Sequence, residues 1–154
     1  MTISLDEIDR RILAELMRDA RQPNTQLANA VGLSPPPCWQ RVRRLEKAGI
    51  VRGYSARLDM AALGSPETAL IEVSLGDHKN YPLEAVCESI AAIPEVLEVH
   101  ITTGEFDCFV KVAVASNRDL EEFLREKLYK IEGIRSSRSS LSLRCFKSEQ
   151  SVLP

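Results

Sequence analysis

Long apolar runs are missing from this chain of 154 residues. A membrane-crossing helix takes about 20 consecutive apolar positions, so no such span is expected. Nor is a secretory leader expected. Met1 is followed by Thr-Ile-Ser-Leu-Asp-Glu, with no basic region and no apolar stretch behind it, and the expected compartment is the cytoplasm. Cysteine is sparse, and Cys38, Cys87, Cys108 and Cys145 form no C-x-x-C pair. In a reducing compartment such residues are expected to pack as small apolar side chains. Histidine is limited to His78 and His100. No metal-ligand spacing, nucleophile–base pair or phosphate loop can be assembled from what remains. The chain is therefore read as no enzyme, with no catalytic residue, no metal and no cofactor.

Nor is there a global excess of positive charge. The net charge is −2, but its distribution is uneven. Residues 1–60 hold 10 Lys/Arg against 7 acids, and residues 61–154 hold 10 against 15. Between 41 and 57 there are six bases and one acid. A basic stripe on a small N-terminal unit beside an acidic remainder suggests two domains with different partners.

The basic stripe lies in a helical pattern. Asp6 with Asp9 approximates a capping box, and Ile8, Ile12, Leu13 and Leu16 form the apolar stripe of a first helix. Asn24 reads as the cap of a second, with Leu27, Ala28 and Val31 inward and Gly32 as its stop. Ser34 reads as the cap of a third. It opens Pro35-Pro36-Pro37, and the restrictions that proline places on the residue before it predict a regular start one or two positions late. Cys38, Val42 and Leu45 point inward with Trp39 on the flank, and Gly49 ends the helix. The outer side carries Gln40, Arg41, Arg44 and Lys47, with Arg43 at the margin and no acidic counter-face.

A short helix, a glycine turn and a helix with a basic outer face fit the major groove of double-stranded DNA. Arginine takes guanine and glutamine takes adenine through paired hydrogen bonds. Gln40, Arg41 and Arg44 are thus expected at base edges, Arg43 and Lys47 at phosphates, and Ser34 at the helix entrance among the DNA-binding residues. The competing reading is a solvated helix face without a partner.

The rest of the chain alternates strands and helices. Ile50–Leu58 reads as a strand leading away from the helices, and Leu63-Gly64-Ser65-Pro66 as a turn. The expected domains are 1–52, a strand-and-turn linker at 53–65, and 66–154. In the last, strands are predicted at Thr68–Leu75, Val96–Thr103, Cys108–Ala115 and Ile134–Leu143, the final one serine-rich. In the second of these, Leu97, Val99 and Ile101 would share one face. One helix opens at Pro82 and buries Leu83, Val86, Cys87 and Ile90. Another, capped by Ser116 or Asn117, packs Leu120, Phe123, Leu124, Leu128 and Ile131. The order β-α-β-β-α-β is ferredoxin-like, so the fold class is α+β. Its uncovered sheet face favours a partner sheet from a second subunit.

Within this domain the turn Thr103-Gly104-Glu105-Phe106-Asp107 is the densest polar cluster. Glycine lets backbone N–H groups approach a carboxylate, and Asp107 can accept from an ammonium, which suits an amino acid. The alternative is a hairpin turn in which Asp107 merely caps backbone donors.

Several segments together resemble the Lrp/AsnC, or feast/famine, regulators of bacteria and archaea. They are Leu5-Asp6-x-x-Asp9-Arg10-x-Ile12-Leu13, Val31-Gly32-Leu33-Ser34-Pro35, Arg41-Val42-x-Arg44-Leu45-Glu46-x-x-Gly49-Ile50-Val51-x-Gly53-Tyr54, Pro94-Glu95-Val96 and Thr103-Gly104-Glu105-x-Asp107. Pro37-Cys38-Trp39 and the tail Ser151–Pro154 look like a subgroup with P-C-W at the helix start. The resemblance implies a transcription regulator, associated with the nucleoid, that forms a homodimer and can build an octamer as a tetramer of dimers. It also implies a small effector, an amino acid, held between subunits by Thr102, Thr103, Gly104, Glu105 and Asp107, with Ser140, Leu141 and Ser142 of the last strand. Pro36 and Pro37 depart from the pattern, because many relatives carry a hydroxyl there.

Two other functions compete. Some proteins resembling this family decarboxylate tetrapyrroles with a histidine of the ferredoxin-like domain, which here would be His78 or His100. The other is a purely ligand-binding or oligomerising protein with a vestigial DNA-binding helix.

Overall fold

The computed structural model describes residues 4–64, 67–76 and 80–147. Contacts divide the chain into two compact units, one ending at Arg57 and one spanning Leu58–Phe146. No helix among the described residues is long and apolar enough to cross a membrane.

The first unit is three helices, α1 (Glu7–Arg18), α2 (Asn24–Val31) and α3 (Pro35–Lys47). Asp6 and Asp9 form the predicted capping box reciprocally, each carboxylate accepting the other's backbone N–H. Gly32 closes α2 at φ 74°, where a side chain would be strained. The core is Ile12, Leu13, Leu27, Ala28, Val31, Cys38 and Leu45, the stripes expected from the spacing.

Three local expectations need correcting. Asn24 does not cap α2; Pro23 holds that position, and Asn24 Nδ2 donates instead to the Pro35 carbonyl at 2.8 Å. Helix α3 starts at Pro35 without delay, since each ring presets φ and a first turn needs no N–H. The predicted strand Ile50–Leu58 is not a strand, because none of the described residues pairs with it and its alternation is weak.

The second unit has strands β1 (Glu67–Leu75), β2 (Val96–Ile101), β3 (Cys108–Val114) and β4 (Ile134–Leu141), with helices α4 (Leu83–Ala91) and α5 (Asn117–Glu126). All pairings are antiparallel in the order β2-β3-β1-β4. Val86, Cys87 and Ile90 of α4 and Phe123 of α5 join the inward residues of β1 and β3 in one core, so both helices lie on one sheet face. This is the expected ferredoxin-like arrangement. Ser116 is the cap of α5, accepting from the Asp119 N–H.

Here too the pattern misleads in places. A register shift between Val96 and Glu98 breaks the alternation of β2, leaving Leu97 exposed while Val99 packs inward. Helix α5 ends before Leu128, which is buried from a separate 3-10 turn at Leu128–Lys130. Ser142 and Leu143 fall beyond β4. Cys38, Cys87 and Cys108 are buried as expected, but Cys145 is exposed. Burial pushes the Cys108 thiol up to about 12 and raises Cys87 as well, so both stay protonated at neutral pH.

Candidate functional site

Two clusters matter, one in each unit. The first is the outer side of α3. At 100° per residue, Cys38 and Leu45 point into the core, and the opposite side carries Pro36, Gln40, Arg43 and Lys47, with Arg44 beside them. All five are exposed, and Gln40 and Lys47 have no partner among the described residues. Arg43 lies over the exposed Trp39 ring, 5.4 Å from its centroid, and reaches Glu46 at 3.5 Å.

Arg41 is placed differently from the expectation. It is turned toward α1, where Nη1 donates to Asp6 Oδ2 at 2.6 Å and to Asp9 Oδ1 at 2.9 Å. Arg44 Nη2 donates to the other Asp9 oxygen, while 48% of its side chain stays exposed. Asp9 is completely buried. The predicted absence of an acidic counter-face is therefore corrected: it exists, but α1 supplies it. Sequence spacing along α3 could not reveal this, although the Asp6/Asp9 capping box marked both carboxylates.

The Asp6 carboxyl is held below the usual carboxylate range, first by the Asp9 backbone N–H and then by Arg41. A depressed folded-state value gives stability that is present above the unfolded value, near 4, and lost as pH falls through the folded one. The melting temperature of this unit should thus stay level from pH 7 to 5 and drop below about 4. Asp6→Asn should flatten that drop in a pH series followed by Trp39 fluorescence.

Ser34 stands at the cap position of α3 but its hydroxyl makes no capping bond. The reason is chemical. A cap oxygen accepts from the second or third amide of the helix, and Pro36 and Pro37 have none.

The second cluster is the hairpin after β2. Gly104 adopts φ 120°, a conformation other residues rarely take, and Thr102–Glu105 are exposed. Thr102 N donates to Asp107 O at 3.0 Å, and its hydroxyl to Phe106 O at 2.9 Å. Asp107 is tied to β1 twice: its N–H donates to Val73 O at 2.9 Å, and Oδ2 accepts from Leu75 N–H at 2.7 Å. The backbone-capping alternative for Asp107 is thus realised for at least one oxygen. The guanidinium of Arg138 covers the Phe106 ring at 4.9 Å and pairs with Glu72 at 2.9 Å.

The other expected ligand-binding residues are not near this hairpin within one chain. Ser140 pairs with Leu70, Leu141 with Ala69, and Ser142 N donates to Thr68 O. The hairpin joins β1 at Val73 and Leu75. Three to seven residues of β1 therefore separate the two groups, about 10–23 Å at 3.3 Å per residue, and β1 itself lies between them.

His100 is exposed on the uncovered sheet face beside Glu98 at 3.3 Å. His78, the Ser65-Pro66 turn and the Ser151–Pro154 tail lie outside the described residues. No group of three or more His, Cys, Asp or Glu among the described residues could hold a metal.

Comparison with known proteins gives a consistent result. Residues 68–152 match the family model of the Lrp/AsnC ligand binding domain, and residues 5–52 match a winged helix-turn-helix DNA-binding model. The leucine-responsive regulatory protein of Haemophilus influenzae is 37% identical over 88% of this chain and 82% of its own length. Among solved structures, a transcriptional regulator of Neisseria meningitidis in complex with L-methionine is 33% identical, with a TM-score of 0.92 over 97% of each chain. The feast or famine regulatory protein of Mycobacterium tuberculosis, also complexed with L-methionine, is 34% identical, with a TM-score of 0.90 over 98% of this chain and 100% of that one.

Proposed function

The chain belongs to the Lrp/AsnC family of DNA-binding transcription regulators, and from that membership we propose how its own residues divide the task. Residues 1–52 bind DNA, 53–65 connect, and 66–154 bind the effector and oligomerise. In the first domain Gln40 and Arg44 read base edges, and Ser34, Arg43 and Lys47 hold phosphates. Arg44 spends one nitrogen on Asp9, so the rest of its five-donor fork is left for DNA. Arg41 is given to positioning α3 against α1, because both of its carboxylate partners belong to α1 or its cap.

The observation that carries this reading is the single outward stripe of Gln40, Arg43, Arg44 and Lys47 on a helix whose other side is locked into a core. A gel-shift titration against a duplex containing the chain's own upstream region tests it. Binding should be sequence-selective and fall steeply with salt. Lys47→Ala should weaken specific and random duplexes about equally and lower the salt slope by about one. Absence of any salt-sensitive, selective shift would overturn the assignment.

The effector is an amino acid bound between two subunits, the hairpin Thr102–Asp107 coming from one and Ser140, Leu141 and Ser142 from the other. Their separation in one chain, about 10–23 Å along β1 with that strand between them, supports a two-chain pocket. The dimer forms through the uncovered sheet face, where Leu70 and Phe109 lie among the ion pairs Glu72–Arg138 and Glu98–Lys111. A two-fold dimer presents a pair of recognition helices to a pseudo-palindromic site. Dimers assemble further into an octamer, which light scattering of the purified chain would reveal, and the protein works in the cytoplasm on the nucleoid. The tetrapyrrole-decarboxylase alternative has no support among the named relatives, which are regulators.

A further inference from the structure

The first turn of α3 has a chemistry that the reading above leaves unused. Pro35, Pro36 and Pro37 occupy its first three positions, and the next amide, Cys38 N, already donates to Ser34 O at 3.3 Å. A helix entrance ordinarily offers several N–H groups to an anion. This one offers none from those three positions. The Asn24 side chain ties down the Pro35 carbonyl, so the turn is held in place. What it presents outward is hydrocarbon, since Pro35 and Pro36 are exposed.

Pro36 precedes Gln40 by one helical turn and shares its outward face with Lys47. In a helix-turn-helix the N-terminal residues of the recognition helix come closest to the base edges. The major groove has one apolar group to offer them, the 5-methyl of thymine. Phosphate is a poor match for a ring with neither donor nor charge, and guanine, adenine and cytosine edges would lose hydrogen bonds to water against it.

We propose that Pro36 is a specificity-determining residue that packs on a thymine 5-methyl group, one helical turn from the base that Gln40 reads. This rests on α3 being the recognition helix. The donor-poor entrance exchanges a phosphate anchor for a methyl sensor, so selectivity rises at one position of each half-site. Burying one methyl group corresponds to roughly a fourfold change in affinity.

The test uses the full chain and a random duplex pool, from which bound sequences are enriched. In the enriched duplex, thymines are then replaced singly by deoxyuridine, which lacks only the methyl. At one position per half-site the parent should bind the uracil duplex about fourfold more weakly. Pro36→Ser, with its helix content checked by circular dichroism, should bring that ratio to about one, and Pro36→Ala should lower it. Equal binding of thymine and uracil duplexes at every position by the parent overturns the inference and leaves DNA binding standing. A thymine preference unchanged in both variants also overturns it, because the methyl is then read elsewhere. If no sequence is enriched at all, the recognition-helix reading falls, and this inference with it.

Discussion

Replacing Arg41 and Arg44 together by alanine should destabilise the DNA-binding unit by about 3–5 kcal/mol, the cost of leaving a buried charge unpaired. Asp9 is completely buried, and both oxygens are held by these arginines. Without them, its remaining partner is the Asp6 N–H at 3.2 Å. A unit of 65 residues has a total stability of only several kcal/mol, so the loss should leave it largely unfolded near 37 °C. Trp39 is the only tryptophan and belongs to this unit, so its fluorescence reports the transition without interference from the sheet domain. Adding Asp9→Asn removes the stranded charge and should recover most of the stability. A double variant that melts within a degree or two of the parent would sink the idea. By the same logic, the single variant Arg41→Ala should weaken binding to all duplexes alike, through the helix that Arg41 steadies, without relaxing discrimination at one base.

The second large effect concerns the proposed effector pocket. Gly104→Val forces a branched side chain into φ 120°, and Ser142→Phe puts a bulky ring just past the end of β4. Each variant alone should lose at least tenfold in affinity for the amino acid that most raises the parent's melting temperature in a thermal-shift screen. When the two are co-expressed, about half the dimers pair one of each, and every mixed dimer regains one intact pocket, so about a quarter of all sites should titrate at parental affinity. Calorimetry would count them. Recovery at that level requires the hairpin and the last strand to come from different chains. No recovery on mixing would confine the pocket to one subunit, and full affinity in either variant would move it elsewhere.

The sequence made the element order readable because the core stripes are clean. Ile12, Leu13, Leu27 and Leu45 fall at helical spacing, and β1 and β3 alternate strictly into the core. What it hid depends on contacts between distant residues. The Asp6–Asp9–Arg41–Arg44 lock joins positions more than thirty apart, and no spacing rule reaches that far. Asn24 looked like a cap because caps are judged locally, whereas its side chain answers to Pro35. The bulge in β2 turned an apparent apolar face into an exposed Leu97. The hairpin's polar turn is visible as an expected ligand site in the residues themselves, Ser140–Ser142 join it only through the resemblance, and their separation along β1 shows only in the strand register.

The serine content of β4 also acquires a meaning from its place in the sheet. In the order β2-β3-β1-β4 it is an edge strand, with one row of backbone groups facing away from β1. Such an edge is a template on which further strands could accrete. Ile-Arg-Ser-Ser-Arg-Ser-Ser-Leu answers that hazard: two arginines and four short hydroxyl side chains keep the edge hydrated and make stacked growth electrostatically unfavourable.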